Sequence, residues 1–200
     1  MTPAKTIHPG CFFLVVGPSG AGKDSLMDGA RARLPRDQFV FAKRVITRPP
    51  GMVGEDYVSC DPNTFVQKKN SGEFLVTWQA HGYYYGLESS LHKHQQRGKH
   101  IVANGSRAMV GEISSTVENL VVVLVTAPID LLAKRLAKRG RETETEIQKR
   151  LTRESLPFPD HVEVLTVSND ASLEAGIERF VSAVTTRAES ASPWRAQNIE

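Results

Sequence analysis

The chain runs CFFLVV, GPSGAGKD and SLMDGARARL without a break from residue 11 to 34. An unbroken apolar run ending at a glycine predicts a strand buried on both faces, as in a parallel sheet. Leu26, Ala30 and Leu34 then recur at helical spacing until Pro35 stops them. A strand and a helix joined by so short a glycine-rich turn leave main-chain N–H groups pointing into the turn. The positive end of the helix lies behind them, so the junction suits phosphate. Gly17, Gly22 and Lys23 fit the pattern G-x-x-x-x-G-K, which Ser or Thr normally follows. On that pattern Gly17, Pro18, Ser19, Gly20, Ala21 and Gly22 form the cradle, and Lys23 reaches the β- and γ-phosphates of a triphosphate.

The eighth position departs from the pattern: it is Asp24, and Ser25 comes one residue late. A hydroxyl there would ligate Mg²⁺. A carboxylate also supplies a hard oxygen, directly or through water. Asp24 is therefore expected to orient Mg²⁺·ATP, with Ser25 donating to the α-phosphate. The competing role for Asp24 is to favour the helix N-terminus through its dipole.

Further along, FVFAKRVIT predicts a second strand, and Asp61 followed by Pro62 predicts a capped helix that closes at Ser71–Gly72. EFLVTW and YYYG are short β segments around QAHG. LESSLHKHQQRG is a helix, and KHIVANG and NLVVVLVTA are strands. PIDLLAKRLAKRG is a helix ending at Gly140, with a charged helix after it. VEVLTVSN is a last strand, and ASLEAGIERFVSAV is an amphipathic last helix. Strands alternating with helices imply a parallel sheet covered on both faces. The reading gives a loose tail over 1–10 and a single domain over 11–187. Its core is 11–43 and 98–187, its insertion 44–97, its lid about 138–155, and 188–200 forms a second tail.

A 200-residue chain with 40% hydrophobic and 24% charged residues is an ordinary globular domain. A net charge of +3, with no basic stripe and interleaved aromatics, argues against a nucleic-acid partner. No apolar run approaches the ~20 residues of a membrane span, and no signal peptide is visible. A cytoplasmic enzyme is expected, with Cys11 and Cys60 as reduced thiols. Its oligomeric state is left open, a homodimer included.

GPSGAGK, TRPPGMVGEDY and EFLVTWQAHGYYYG, in that order, resemble the guanylate kinase family over about residues 11–185. The resemblance implies a P-loop NTPase fold of class α/β: a parallel sheet flanked by helices, an inserted acceptor-binding subdomain and a helical lid. Two departures stand out. The family grips the acceptor phosphate with two arginines. Arg48 matches the first, and the second is missing from RPPG. The family's guanine-reading carboxylate aligns with Val76. A guanine edge left unpaired there would cost about 1–3 kcal/mol or more, which makes GMP a poor acceptor.

GPSGAGKDSL, WQAHGYYYG, VANGSRAM and TAPIDLLAKRLAKRGRE together are similar to a narrower family, the ribose 1,5-bisphosphate phosphokinases. That resemblance implies ATP-dependent phosphorylation of ribose 1,5-bisphosphate, a step of phosphonate breakdown, with ATP and Mg²⁺ required. Expected acceptor contacts are Arg44, Arg48, Tyr57, His81, Tyr84, Asn104 and Arg107. Asn104 and Arg107 follow a strand's carboxyl end, where open α/β sheets bind ligands. Tyr84 could equally be strand packing, His81 a turn residue and Arg44 a surface residue. Glu55 and Asp56 could hold Mg²⁺ or a ribose hydroxyl, or cap the turn.

Arg135, Arg139 and Arg150 are candidates to stabilise the moving phosphoryl group from the lid, Arg150 through the family alignment. Arg141 and Arg153 read as parts of a solvated, charge-laced helix. No general base is required, because a phosphate acceptor is already ionised. Two alternatives remain: a nucleoside-monophosphate kinase, and a non-catalytic binding module, which the intact Lys23 argues against.

Overall fold

The computed structural model describes residues 8–51, 56–137 and 157–191. Its core is a five-stranded parallel sheet. The central strand β1 (Phe12–Val16) lies between β7 (His100–Asn104) and β8 (Leu120–Thr126), with β2 (Phe39–Phe41) and β9 (Glu163–Ser168) at the edges. All of β1 is buried. Its alternate side chains feed two cores, as the pleat of a strand dictates.

Phe13 and Val15 pack with Leu26 and Ala30 of α1 (Lys23–Arg31), and with Ile177, Phe180 and Val184 of the last helix, α6 (Leu173–Ser190). Phe12, Leu14 and Val16 pack with Met109, Val110 and Ile113 on the opposite face. Each fully buried Phe or Leu contributes about 1.5–3 kcal/mol. That packing anchors the loop between β1 and α1.

A second, four-stranded sheet has the order β4 (Tyr57–Ser59), β3 (Arg44–Ile46), β6 (Tyr83–Glu88), β5 (Phe74–Ala80). The helix α2 (Pro62–Asn70) covers one of its faces: Phe65 stacks on Phe74 at 4.6 Å and on Tyr84 at 5.8 Å. Asp61 caps α2 by accepting from the N–H groups of Asn63 and Thr64. The helix α3 (Ser90–Gln96) then leads back into β7.

The segment read as one strand, FVFAKRVIT, is two. β2 pairs with β7 in the core, and Ala42 N–H donates to Val102 O at 2.9 Å before the chain crosses to β3 in the other sheet. A short 3₁₀ turn (Arg107–Met109) and α4 (Val110–Ser114) follow β7, in a stretch to which the sequence analysis assigns no element. Buried Met109, Val110 and Ile113 account for them. The helix α6 continues through Ser190, past the end of ASLEAGIERFVSAV at Val184, because Val184 and Ala188 keep its inner face buried. The helix α5 spans Ile129–Ala137. The expected cap at Gly140 and the charged helix after it lie outside the described residues. Among the described residues no helix is long and apolar enough to cross a membrane.

Candidate active site

The loop between β1 and α1 carries positive φ at Gly17 (147°), Gly20 (87°) and Gly22 (89°). Two of these glycines are also sterically forced. A Cβ on Gly17 would lie 2.2 Å from Val125 O, and one on Gly22 would lie 2.4 Å from Asn169 Nδ2. Gly22 is the N-cap of α1 and supplies no side-chain acceptor. The first N–H groups of the helix therefore face the loop without a side-chain cap, ready to donate to an anion. Lys23 Nζ donates to Gly17 O at 2.7 Å and to Pro18 O at 3.3 Å, so the ammonium lies across the loop. Ser25 is exposed on the first turn of α1.

Two elements distant in sequence hold this loop. Asn169, at the carboxyl end of β9 and 3% exposed, donates from Nδ2 to Ala21 O at 2.7 Å. Arg135 of α5 donates to Gly20 O at 3.3 Å and to Asn169 O at 3.1 Å. Arg135 thus sits at the phosphate loop as a brace. Asn169 was not anticipated. Its one sequence signal is a polar residue just past a strand's carboxyl end, where ligand sites of α/β sheets gather.

Asp24 faces β7: Asn104 Nδ2 donates to Asp24 Oδ1 at 2.6 Å. Asn104 is buried and ends the strand next to β1, so the amide fixes the carboxylate beside the loop. Among the described residues there is no cluster of three or more His, Cys, Asp and Glu that could hold a metal. A lone carboxylate still suits Mg²⁺, which keeps several waters and takes its other oxygens from nucleotide phosphates. A small cavity of about 20 Å³ adjoins Asp24 and Asn104 and is also lined by Arg31, Arg44 and Asp56. Asp56 is engaged by Lys43 at 2.7 Å and by Arg31 at 3.8 Å.

The second sheet brings Arg44 and Arg48 together. Arg48 follows β3 and donates from Nη2 to the Tyr85 hydroxyl at 3.2 Å. Its guanidinium also lies 5.3 Å from the centre of the Tyr57 ring and 5.4 Å from that of Tyr83. Tyr57 in turn donates to Pro49 O at 2.5 Å, and Ser59 Oγ donates to Arg48 O at 2.6 Å. The Arg44 guanidinium lies 5.3 Å from the Tyr85 ring centre.

Strand alternation separates the three consecutive tyrosines. Tyr83 and Tyr85 share the arginine face, whereas Tyr84 stacks on Phe65 of α2 on the other face and is 44% exposed. The structure therefore does not bring Tyr84 to the arginines. Tyr85, 3% exposed, is the tyrosine most closely joined to them.

The other expected residues are more dispersed. His81 is exposed at the β5–β6 turn with φ 50°, a turn position. Arg107, just past β7, packs over Phe158 at 4.2 Å. Val76 of β5 is 3% exposed and packs in the apolar core with Leu87, Leu91 and Met109. Glu55, Arg139, Arg141, Arg150 and Arg153 lie outside the described residues.

Displaced titration occurs at the far end of the sheet. His100 opens β7, and its Nδ1 accepts from Cys11 N–H at 3.0 Å. Burial, with Arg187 nearby, pushes its pKa below the ordinary histidine range. Burial likewise raises the Cys11 thiol.

The guanylate kinase family model matches residues 12–185. The bifunctional ribose 1,5-bisphosphokinase–thymidine phosphorylase of Cupriavidus necator is 54% identical over 177 residues, 88% of this chain and 29% of that protein. The chain therefore spans under a third of the bifunctional relatives it matches. The ribose 1,5-bisphosphate phosphokinase PhnN of Agrobacterium fabrum is 39% identical over 90% of this chain and 99% of its own length. Among solved structures, guanylate kinase from Anaplasma phagocytophilum superposes with a TM-score of 0.68 at 14% identity, over 95% of this chain and 94% of that one, which speaks to the fold. The chain belongs to the guanylate kinase family and groups there with the ribose 1,5-bisphosphate phosphokinases.

Proposed function

We propose that the chain transfers the γ-phosphoryl group of ATP to the 1-phosphate of ribose 1,5-bisphosphate, giving 5-phosphoribosyl 1-diphosphate and ADP. The observation that carries this reading is the pairing of an intact phosphate loop with an acceptor sheet that offers Arg44 and Arg48 but, at Val76, only an apolar residue packed in the core. A doubly phosphorylated sugar needs cations and has no base to read. The named relatives support the same assignment.

In this reading Lys23 exchanges its loop carbonyls for β- and γ-phosphate oxygens, and the N–H groups of Gly20 to Lys23 donate to the same phosphates. Ser25 donates to the α-phosphate. The charge neutralisation that Mg²⁺ would supply to the triphosphate is needed beside the loop. Asp24, fixed by Asn104, is the residue that would hold the ion. Arg48, with Arg44, holds the acceptor's 1-phosphate. Tyr57 shapes the Arg48 side, and Asn104 and Arg107 border the sugar from the end of β7. Arg135 keeps the loop in shape. Arg139 and Arg150, which lie outside the described residues, are the arginines that the family resemblance assigns to the equatorial oxygens of the moving group.

An oxygen of the 1-phosphate attacks the γ-phosphorus, and the bond from that phosphorus to the β,γ-bridging oxygen breaks. The acceptor oxygen is already ionised, so no base removes a proton. Phosphonate degradation is the proposed setting. A second supply is chemically equivalent: phosphorolysis of a nucleoside 5′-phosphate also leaves a sugar phosphorylated at C1 and C5. A nucleoside-monophosphate kinase is the alternative reading.

Product identification tests the proposal. Purified chain, Mg²⁺·ATP and ribose 1,5-bisphosphate should lose the 1-phosphate ³¹P resonance and gain a second coupled diphosphate pair beside that of ADP, with one ADP formed per product. ADP formation without that pair would reject it.

A further inference from the structure

A larger cavity, of about 230 Å³, opens beside the edge strand β2, with no phosphate-loop residue in its wall. It is lined by Arg31, Leu34, Arg36, Phe39, Phe41 and Lys43. Arg31 ends α1, Leu34 and Arg36 lie on the connection to β2, and Lys43 lies on the crossing to β3. Alternate residues of a strand share a face, so Phe39 and Phe41 turn to this side while Val40 and Ala42 feed the opposite core.

Three cations thus surround an apolar floor, and among the described residues no carboxylate lines the cavity. The Arg31 guanidinium lies 5.3 Å from the centre of the Phe41 ring, and its buried Nε has no hydrogen-bond partner among the described residues. Arg36 is exposed and makes no ion pair or hydrogen bond among the described residues. Like charges around one cavity repel, and a bound anion removes that cost. A carbon floor with a few charged groups at its rim is the composition of a small-molecule site. The charges suit a phosphate group, and the floor suits the carbon skeleton of a phosphate ester.

Two of the three cations have a second partner. Lys43 Nζ lies 2.7 Å from Asp56 Oδ2, and Arg31 Nη1 lies 3.8 Å from the same oxygen. Asp56 in turn lines the small cavity that holds Asp24, Arg44 and Asn104. Arg31 borders both cavities, so an anion in the larger one competes with Asp56 for its partners.

We infer that the larger cavity is a second anion site, for a small phosphate ester, and that filling it weakens acceptor binding. Phosphate drawn to Arg31, Arg36 and Lys43 leaves Asp56 uncompensated in the cavity shared with Arg44. That negative charge opposes an incoming anionic acceptor. The effect on the acceptor rests on the proposed reaction, whereas the site itself does not.

The first test is an NMR titration of the full chain with phenyl phosphate, Mg²⁺·ADP being present. Backbone amides of residues 31–43 should shift saturably. Arg36→Ala should weaken that binding about tenfold, the effect of one lost charge-assisted hydrogen bond. Inorganic phosphate, which lacks the skeleton, should need about fivefold more to reach the same amides. Equal binding in wild type and Arg36→Ala would overturn the site, and so would shifts confined to residues 44–48. Inorganic phosphate binding as tightly as the ester would overturn the choice of ligand.

Kinetics at saturating Mg²⁺·ATP test the coupling. Phenyl phosphate should raise acceptor KM at least about fivefold in wild type and by under about twofold in Arg36→Ala. Without the ester, Arg36→Ala should keep kcat and both KM values within about twofold of wild type. Lys43→Met, which removes the nearer partner of Asp56, should raise acceptor KM with no ester present. An equal rise with the ester in wild type and Arg36→Ala, or an unchanged KM in Lys43→Met, would overturn the coupling. If wild type fails to phosphorylate the sugar bisphosphate, the proposed reaction falls, and the titration alone judges the site.

Discussion

Replacing Asn169 with alanine should loosen the phosphate loop from a distance. Asn169 Nδ2 makes a 2.7 Å bond to the carbonyl of Ala21, a residue with no exposed surface. Alanine removes that bond and strands the buried carbonyl, which costs about 1–3 kcal/mol. Allowing for partial hydration of the space left behind, we expect about 2–3 kcal/mol of destabilisation. For a domain of this size that corresponds to a fall in Tm of roughly 4–12 °C. Because Ala21 lies inside the loop, KM for ATP should rise several-fold while acceptor KM changes little. Arg135 also reaches the loop, through Gly20 O and Asn169 O. Asn169→Ala and Arg135→Gln should therefore combine non-additively in urea melts. A variant with wild-type Tm and wild-type KM for ATP would refute the reasoning, and strict additivity would refute the shared brace.

Asp24→Asn should raise the Mg²⁺ concentration for half-maximal turnover by about tenfold, with the fold intact by circular dichroism. An unchanged Mg²⁺ dependence would reduce Asp24 to a helix-end charge. Tyr84→Phe should leave acceptor KM within about twofold, because Tyr84 faces α2. A large rise would mean that this side of the sheet also meets the acceptor. His100 has a folded pKa below its unfolded value near 6.5. The unfolded chain then takes up a proton that the fold refuses, so stability is full above about pH 6.5 and declines as pH falls from there towards the folded pKa. His100→Asn keeps an acceptor for Cys11 N–H and does not titrate. Its Tm-against-pH curve should be flatter than wild type below pH 6.5, and parallel curves would exclude His100 as the source.

The phosphate loop was legible because steric necessity is written into it: an apolar run, glycines where only glycine fits, then a helical repeat. The Asp61–Pro62 cap was legible for the same reason. The acceptor sheet was only partly so. Nothing in Ala42–Lys43 resembles a turn, so the crossing from β2 to β3 left no mark. Which tyrosine meets the arginines depends on strand parity, and parity is set by the two-residue turn at His81–Gly82, so Tyr84 was preferred where Tyr85 stands. Asn169 pairs with a residue 148 positions away, a separation that no local pattern encodes. The absence of a base-reading carboxylate could be read directly at Val76, but its burial among Leu87, Leu91 and Met109 could not.

The most direct measurement of the central claim is the ratio of kcat/KM for ribose 1,5-bisphosphate to that for GMP, taken on one preparation at saturating Mg²⁺·ATP. With Arg44 and Arg48 for phosphate and Val76 in place of a base reader, the ratio should exceed about 10³, because an unpaired guanine edge loses a buried partner and more. A ratio near or below one would contradict the account.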